Sequence, residues 1–201
     1  MRLVLASNNA KKLVELQTLF SPLGLELVTQ GSLGISEAEE PYVTFVENAL
    51  TKARHAAQHA GVAAIADDSG LCVDALGGAP GVLSARYATL FGRPKGDDEN
   101  NHVLLENLAP HTDRRARFVS ALVAVRSAED PEPLIAFGRW DGEVLRELRG
   151  EGGFGYDPLL FIPSLGQAVA ELTAENKNIH SHRAIASRQM LALMREVWRL
   201  G

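Results

Sequence analysis

Between Val62 and Ala66 every residue is small or apolar, and the next two positions are carboxylates, Asp67 and Asp68, followed by Ser69 and Gly70. A short apolar run bounded by turn residues reads as a buried strand. The acids that follow it read in two ways. Asp, Ser and Gly are turn residues, so the stretch is a plain turn after the strand. Alternatively the strand end presents acid groups at the edge of a sheet. There they bind a hard cation such as Mg2+ through oxygen, and one of them takes a proton from water.

The rest of the chain supplies the context. Residues 2–6 are a short aliphatic run, the first expected strand, and Ser7-Asn8-Asn9-Ala10-Lys11-Lys12 follows at once. Leu13, Leu16, Leu19 and Phe20 then mark one helical face, with Gly24 as its stop. A strand that turns into a helix leaves backbone N–H groups and the positive dipole end facing outward, the geometry of an anion site. Lys11 and Lys12 oppose that dipole, which points to an anion that neutralises them; a solvated pair is the plain alternative. A second strand is expected over 25–28, then a polar loop carrying Glu37, Glu39 and Glu40. A helix over 45–59 follows, with Thr44 and Glu47 as a capping box and Phe45, Ala49, Ala53 and Ala56 as its apolar stripe. Lys52, one turn from Asn48, is either a surface lysine or a phosphate ligand.

Downstream, 71–76 is expected to continue as strand or hairpin arm, and strands are expected over 117–126, 134–140 and 159–162, with a helix over 97–108. Asp141-Gly142 reads as a hairpin turn feeding another arm over 143–148. This antiparallel pattern differs from the strand–helix alternation upstream and predicts a mixed sheet. Gly150, Gly152, Gly153 and Gly155 let backbone approach a ligand closely, and Phe154 and Tyr156 between them offer flat surfaces for a base. Lys177 precedes Ser181-His182-Arg183, which opens the last helix. Arg183 again opposes a dipole unless something anionic or carbonyl-bearing is near. With His182 it forms a pair that could read the edges of a base, Arg183 through a rigid fork of donors.

With 201 residues and no linker or repeat, the chain is expected to form one domain, 1–201. A net charge of −5 offers no broad basic face for nucleic acid. The single cysteine, Cys72, excludes an internal disulfide and fits a reducing compartment. No signal peptide or apolar run of membrane-spanning length is present, so the expectation is cytoplasmic, with no membrane partner.

Six motifs in order carry a resemblance: Ser7-Asn8-Asn9-Ala10-Lys11-Lys12, Phe45-Val46-Glu47-Asn48-Ala49, Asp67-Asp68-Ser69-Gly70, Gly78-Ala79-Pro80-Gly81 with Ser84-Ala85-Arg86, Gly153 to Pro158, and Ser181-His182-Arg183. Together they resemble the inosine triphosphate pyrophosphatase family, over nearly the whole chain. The resemblance implies cleavage of ITP, dITP and XTP to the monophosphate and pyrophosphate, with Mg2+, in a homodimer. It implies an elongated mixed α/β sheet flanked by helices, in two lobes with a central nucleotide cleft. Carried over by position, Ser7 to Lys12 hold the phosphates; Asp68 is general base and metal ligand; Glu39 or Glu40 is the other ligand. Ser69, Phe154, Gly155, Tyr156, Asp157, Lys177, His182 and Arg183 contact the nucleotide. The rival readings are a related pyrophosphatase for modified pyrimidine or methylated nucleotides, and a nucleotide-binding module without catalysis. The density of acids at Asp67-Asp68 and Glu39-Glu40 argues against the second.

Overall fold

The apolar runs form strands that alternate their side chains between two helical layers. The computed structural model describes residues 2–200. Strand β1 (Arg2–Leu5) leads to helix α1 (Ala10–Phe20), β2 (Glu26–Thr29), α2 (Phe45–Ala60) and β3 (Ala64–Val73). Helix α3 (Asp97–Leu108), strands β4 (Arg115–Val125), β5 (Leu134–Val144), β6 (Leu160–Ile162) and β7 (Gln167–Ala168), and helices α4 (Ala174–His180) and α5 (His182–Val197) complete the order. The strands make one seven-stranded sheet in the order β2-β1-β3-β4-β5-β6-β7. Strand β1 is parallel to β2 and β3, whereas β6 is antiparallel to β5 and β7. The mixed α/β architecture expected from the sequence is therefore what the chain adopts.

The chain divides into two compact units. The first takes the residues up to Asp68, Ser120–Gly138 and those from His182 onward; the second takes Ser69–Val119 and Arg139–Ser181. In the first unit Leu3, Leu5, Ile65, Leu122 and Ala136 point to one side, where they pack with Leu16 and Phe20 of α1 and Met190 and Met194 of α5. Val4, Ala6, Ala64, Ala66, Ala121 and Val123 point to the other side, against Ala49, Ala53, Ala56 and Ala57 of α2. Both faces are thus covered, which is why these strands read as unbroken apolar runs. Gly138 on β5 admits the start of α5: a Cβ there would collide with the carbonyl of His182. The second unit packs Leu71, Tyr87, Leu104, Phe118, Trp140 and Leu160 into its own core.

Three local expectations are corrected. Helix α1 stops at Phe20, and Gly24 (φ 58°) closes a 3-10 turn over Ser21–Leu23 instead; Pro22 lacks the N–H that a continuing helix needs. Asp141-Gly142 is no hairpin turn, because β5 runs straight through it, and no separate strand forms over 143–148. Gly142 serves a different end: a Cβ would strike the carbonyl of Phe161 on β6. Third, Asp67-Asp68-Ser69-Gly70 is neither a turn nor a strand end but the middle of the ten-residue β3. Among the described residues no helix is long and apolar enough to cross a membrane.

Candidate active site

A strand turns successive side chains to opposite faces. Because Asp67 and Asp68 lie inside β3, they cannot act as one paired acid group. Asp67 follows Ile65 to the side of α1 and α5, and Asp68 follows Ala64 and Ala66 to the side of α2.

On the first face Asp67 is 1% exposed. Its Oδ2 receives Lys12 Nζ at 2.9 Å and Arg183 Nε at 3.0 Å, and its Oδ1 accepts the Ser120 hydroxyl at 2.6 Å. Arg183 Nη1 reaches on to Glu15 at 2.9 Å. Burial by itself would raise the Asp67 pKa; Lys12, Arg183 and the Ser120 hydrogen bond reverse that and hold the carboxyl well below its usual range. The Lys12 pKa is lowered too, which for an ammonium disfavours the charged form: burial and the neighbouring Arg183 and Lys52 charges outweigh the pull of Asp67. One carboxylate shared by two cations gains more than either cation does.

On the second face the stoichiometry is reversed. Lys52 Nζ lies 3.0 Å from Asp68 Oδ1 and 2.5 Å from Glu40 Oε1, and donates to the Asp67 carbonyl at 3.2 Å. Burial weakens the charge on Lys52, but its two carboxylates outweigh that and raise its pKa. Asp68 is raised as well, by burial first and by Glu40, with Lys52 opposing. Its other oxygen, Oδ2, is buried and has no hydrogen-bond partner. A carboxylate with one lone-pair edge unsatisfied is poised to accept a proton or ligate a cation. Of the two adjacent glutamates, Glu40 is the one drawn to Asp68; Glu39 is exposed and joins none of these ion pairs. Asn48 fixes the approach of that loop by bonding both N–H and C=O of Tyr42. Thr44 caps α2 through the Glu47 N–H, and its hydroxyl donates to the Glu47 carboxylate at 2.5 Å, in place of the backbone bond of a full capping box.

The segment between β1 and α1 is self-capped. Asn9 Oδ1 accepts from the N–H groups of Lys11 and Lys12, and Ser7 Oγ accepts from Asn9 N. Asn8 holds Gly31 N–H at 2.9 Å and donates to Glu37. Ala10 opens α1, and Lys11 lies exposed in its first turn. The anion that the dipole argument demanded for Lys12 and Arg183 is present in the protein itself: it is Asp67 in both cases.

In the second unit Asp157 Oδ2 accepts from Phe154 N–H at 3.0 Å and from Lys177 Nζ at 2.8 Å. The same ammonium sits 4.7 Å from the centre of the Phe154 ring. Gly153 (φ 75°) leaves room for that carboxylate, which any Cβ would strike. Gly155 is pinned at both ends, by Asp97 and Asn101. Tyr156 is 4% exposed and spends its hydroxyl on the Ser84 carbonyl, so its ring belongs to the core. Burial pushes that phenol up, and it stays neutral. Ser69 is half-buried on β3. In the first unit His182 is buried at the start of α5.

Sequence reasoning missed Glu15, Ser120, Asp97 and Asn101. Two of them left a signal. Glu15 lies one helical turn from Lys12. Ser120 is a hydroxyl in an otherwise apolar strand core, and such a group must find a partner.

Among the described residues no three His, Cys, Asp or Glu side chains gather as a metal-ligand set. The Glu40–Asp68 pair still fits Mg2+, which is commonly bound by one or two carboxylates and completes its shell with water and substrate phosphates. The unpartnered Oδ2 of Asp68 is an oxygen donor of the required kind.

The fold is that of an α/β protein with a mixed seven-stranded sheet, and its first unit sets two carboxylates, Glu40 and Asp68, against the single ammonium of Lys52. The profile of the Ham1 family matches residues 3–193. A dITP/XTP pyrophosphatase of Methylibium petroleiphilum is 68% identical over 206 residues, spanning 98% of this chain and 99% of its own. One of Leptothrix cholodnii is 65% identical with 100% of both chains covered. Among solved structures, a Ham1 protein from Coxiella burnetii aligns at TM-score 0.90 and 43% identity, over 98% of this chain and 100% of that one. The Ham1 protein of Staphylococcus aureus aligns at 0.86 and 36%, over 98% and 99%. The chain belongs to the Ham1 family.

Proposed function

We propose that this chain is a nucleoside-triphosphate pyrophosphatase of the cytoplasmic nucleotide pool. It acts on dITP, XTP and ITP as a homodimer in which residues 1–201 serve one activity. The supporting observation is Asp68: nearly buried, raised in pKa, and carrying one oxygen without a partner beside the Lys52–Glu40 ion pair. Water attacks the α-phosphorus and gives up a proton to Asp68; a new P–O bond forms as the bond from the α-phosphorus to the bridging oxygen breaks. The bridging oxygen leaves with the electron pair, as pyrophosphate, and the nucleoside monophosphate remains. Lys12, with Ser7 to Lys11, serves the phosphates. Mg2+ held by Glu40 and Asp68 would neutralise phosphate charge. Phe154, Gly155, Asp157, Lys177 and His182 take nucleoside contacts, as does Arg183 to the extent that it gives up its hold on Asp67.

The test is pyrophosphate release measured side by side on dITP, XTP, ITP, ATP, GTP and a modified pyrimidine triphosphate. Preference for the first three by orders of magnitude is expected. Comparable rates on ATP, or a preference for the pyrimidine, overturns the substrate; no pyrophosphate from any of them overturns the reaction.

A further inference from the structure

The position between Glu40 and Asp68 is already held by a cation. Lys52 Nζ stands 2.5 Å from one carboxylate and 3.0 Å from the other, with the Asp67 carbonyl at 3.2 Å as a third oxygen. Three oxygens around one positive centre is a coordination pattern, filled here by an ammonium. The lysine side chain is only 13% exposed, and it reaches the strand from α2, a helix packed on the sheet through alanines. Lysine carries its charge on a flexible four-carbon stem, so the ammonium can change position without a shift of the helix backbone. One ammonium facing two carboxylates leaves an excess of negative charge, and Asp68 Oδ2 has no partner at all. The site is therefore incompletely neutralised, and it is open to a further cation only if that cation shares or displaces Lys52.

We propose that Lys52 is a resident counter-ion of the metal pair. It holds Glu40 and Asp68 together while the enzyme is empty and competes with the divalent ion for them. The nucleotide relieves that competition by offering its phosphates to the displaced ammonium. Metal and triphosphate would thus bind with positive coupling, and metal alone would bind poorly. This rests on the reading of Glu40 and Asp68 as the metal pair, and it gives Lys52 a role separate from phosphate contact alone.

The experiment measures Mn2+ binding by electron paramagnetic resonance at pH 8, without nucleotide, on wild type, Lys52→Met and Lys52→Gln. Circular dichroism checks that each variant is folded. Removing the internal cation is expected to tighten Mn2+ binding to the free enzyme at least about tenfold in both variants. Adding Asp68→Asn to Lys52→Met should abolish the gain. In wild type a non-hydrolysable triphosphate analogue should tighten Mn2+ more than it does in Lys52→Met, because only wild type has a competitor to remove. Unchanged or weaker Mn2+ binding in both lysine variants, with normal binding of the Mn2+–analogue complex to wild type, overturns the counter-ion role while sparing the metal pair. Failure of wild type to bind Mn2+ even with the analogue, or binding indifferent to Asp68→Asn, overturns the metal pair and the proposal with it.

Discussion

Asp67 and Asp68 are consecutive residues on one strand, both nearly buried, and their surroundings are opposite in charge. On one face a single carboxylate answers two cations and a hydroxyl. On the other a single ammonium answers two carboxylates, and one acid oxygen is left over. The first arrangement is a satisfied network of the kind that fixes four elements, β3, β4, α1 and α5, to one another. The second is short of positive charge and keeps a proton acceptor in reserve, a local deficit of the sort found where chemistry is done.

The largest effect should come from breaking the second face. Asp68→Asn is expected to lower kcat by about 10²–10⁴ through loss of the base. Its melting temperature should stay level or rise, since burial disfavours the charged form that the substitution removes. An Asp68→Asn enzyme that keeps a tenth of wild-type kcat, or that melts several degrees lower, erases the contrast between the two acids.

Breaking the first face should act on stability. Asp67→Asn leaves Lys12 and Arg183 buried around a neutral amide, and removing one partner of such a network costs about 3–5 kcal/mol. For a chain of this size that is roughly 6–20 °C in melting temperature, read by scanning calorimetry. A smaller loss, about 1.5–3 kcal/mol, is expected for Ser120→Ala, which removes a 2.6 Å hydrogen bond to a charged oxygen in a residue with no exposed surface. No change in Ser120→Ala would mean that the two cations alone suffice for Asp67.

These contrasts show where sequence reasoning stops. The order of strands and helices was legible because both faces of the first unit are apolar and the periods are clean. The cations at the starts of α1 and α5 were legible as a violation: each opposed its helix dipole and so demanded an anion. The violation could not say which anion, because Arg183 and Asp67 are 116 residues apart and only the fold brings them together. The two-residue motif Asp67-Asp68 misled for a related reason. Turn propensity is local, but β3 continues because Leu71 and Val73 find a core beyond it. Likewise nothing in the pair Phe154 and Tyr156 tells which ring is buried until Ser84 is seen to take the tyrosine hydroxyl.

The smallest predicted effect separates the two acids by the sign of their pH dependence. Asp67 has a folded-state pKa well below its unfolded value, so its ionised form stabilises the protein. That contribution is complete above the unfolded carboxylate pKa of about 3.9 and is lost as pH falls toward the folded value. The stability gap between wild type and Asp67→Asn should therefore be constant above about pH 5 and narrow below pH 4, by at most about 1.4 kcal/mol per pH unit, the limit for one proton. Asp68 runs the other way. Its folded pKa is raised, so wild type gives up stability as pH rises through that value, and any advantage of Asp68→Asn should open in the same direction. Urea unfolding of the three proteins in EDTA between pH 3 and 7 measures both curves. Asp67→Asn and Asp68→Asn gaps that move in the same direction with pH would show that the two faces of β3 do not hold their carboxylates in opposite electrostatic states.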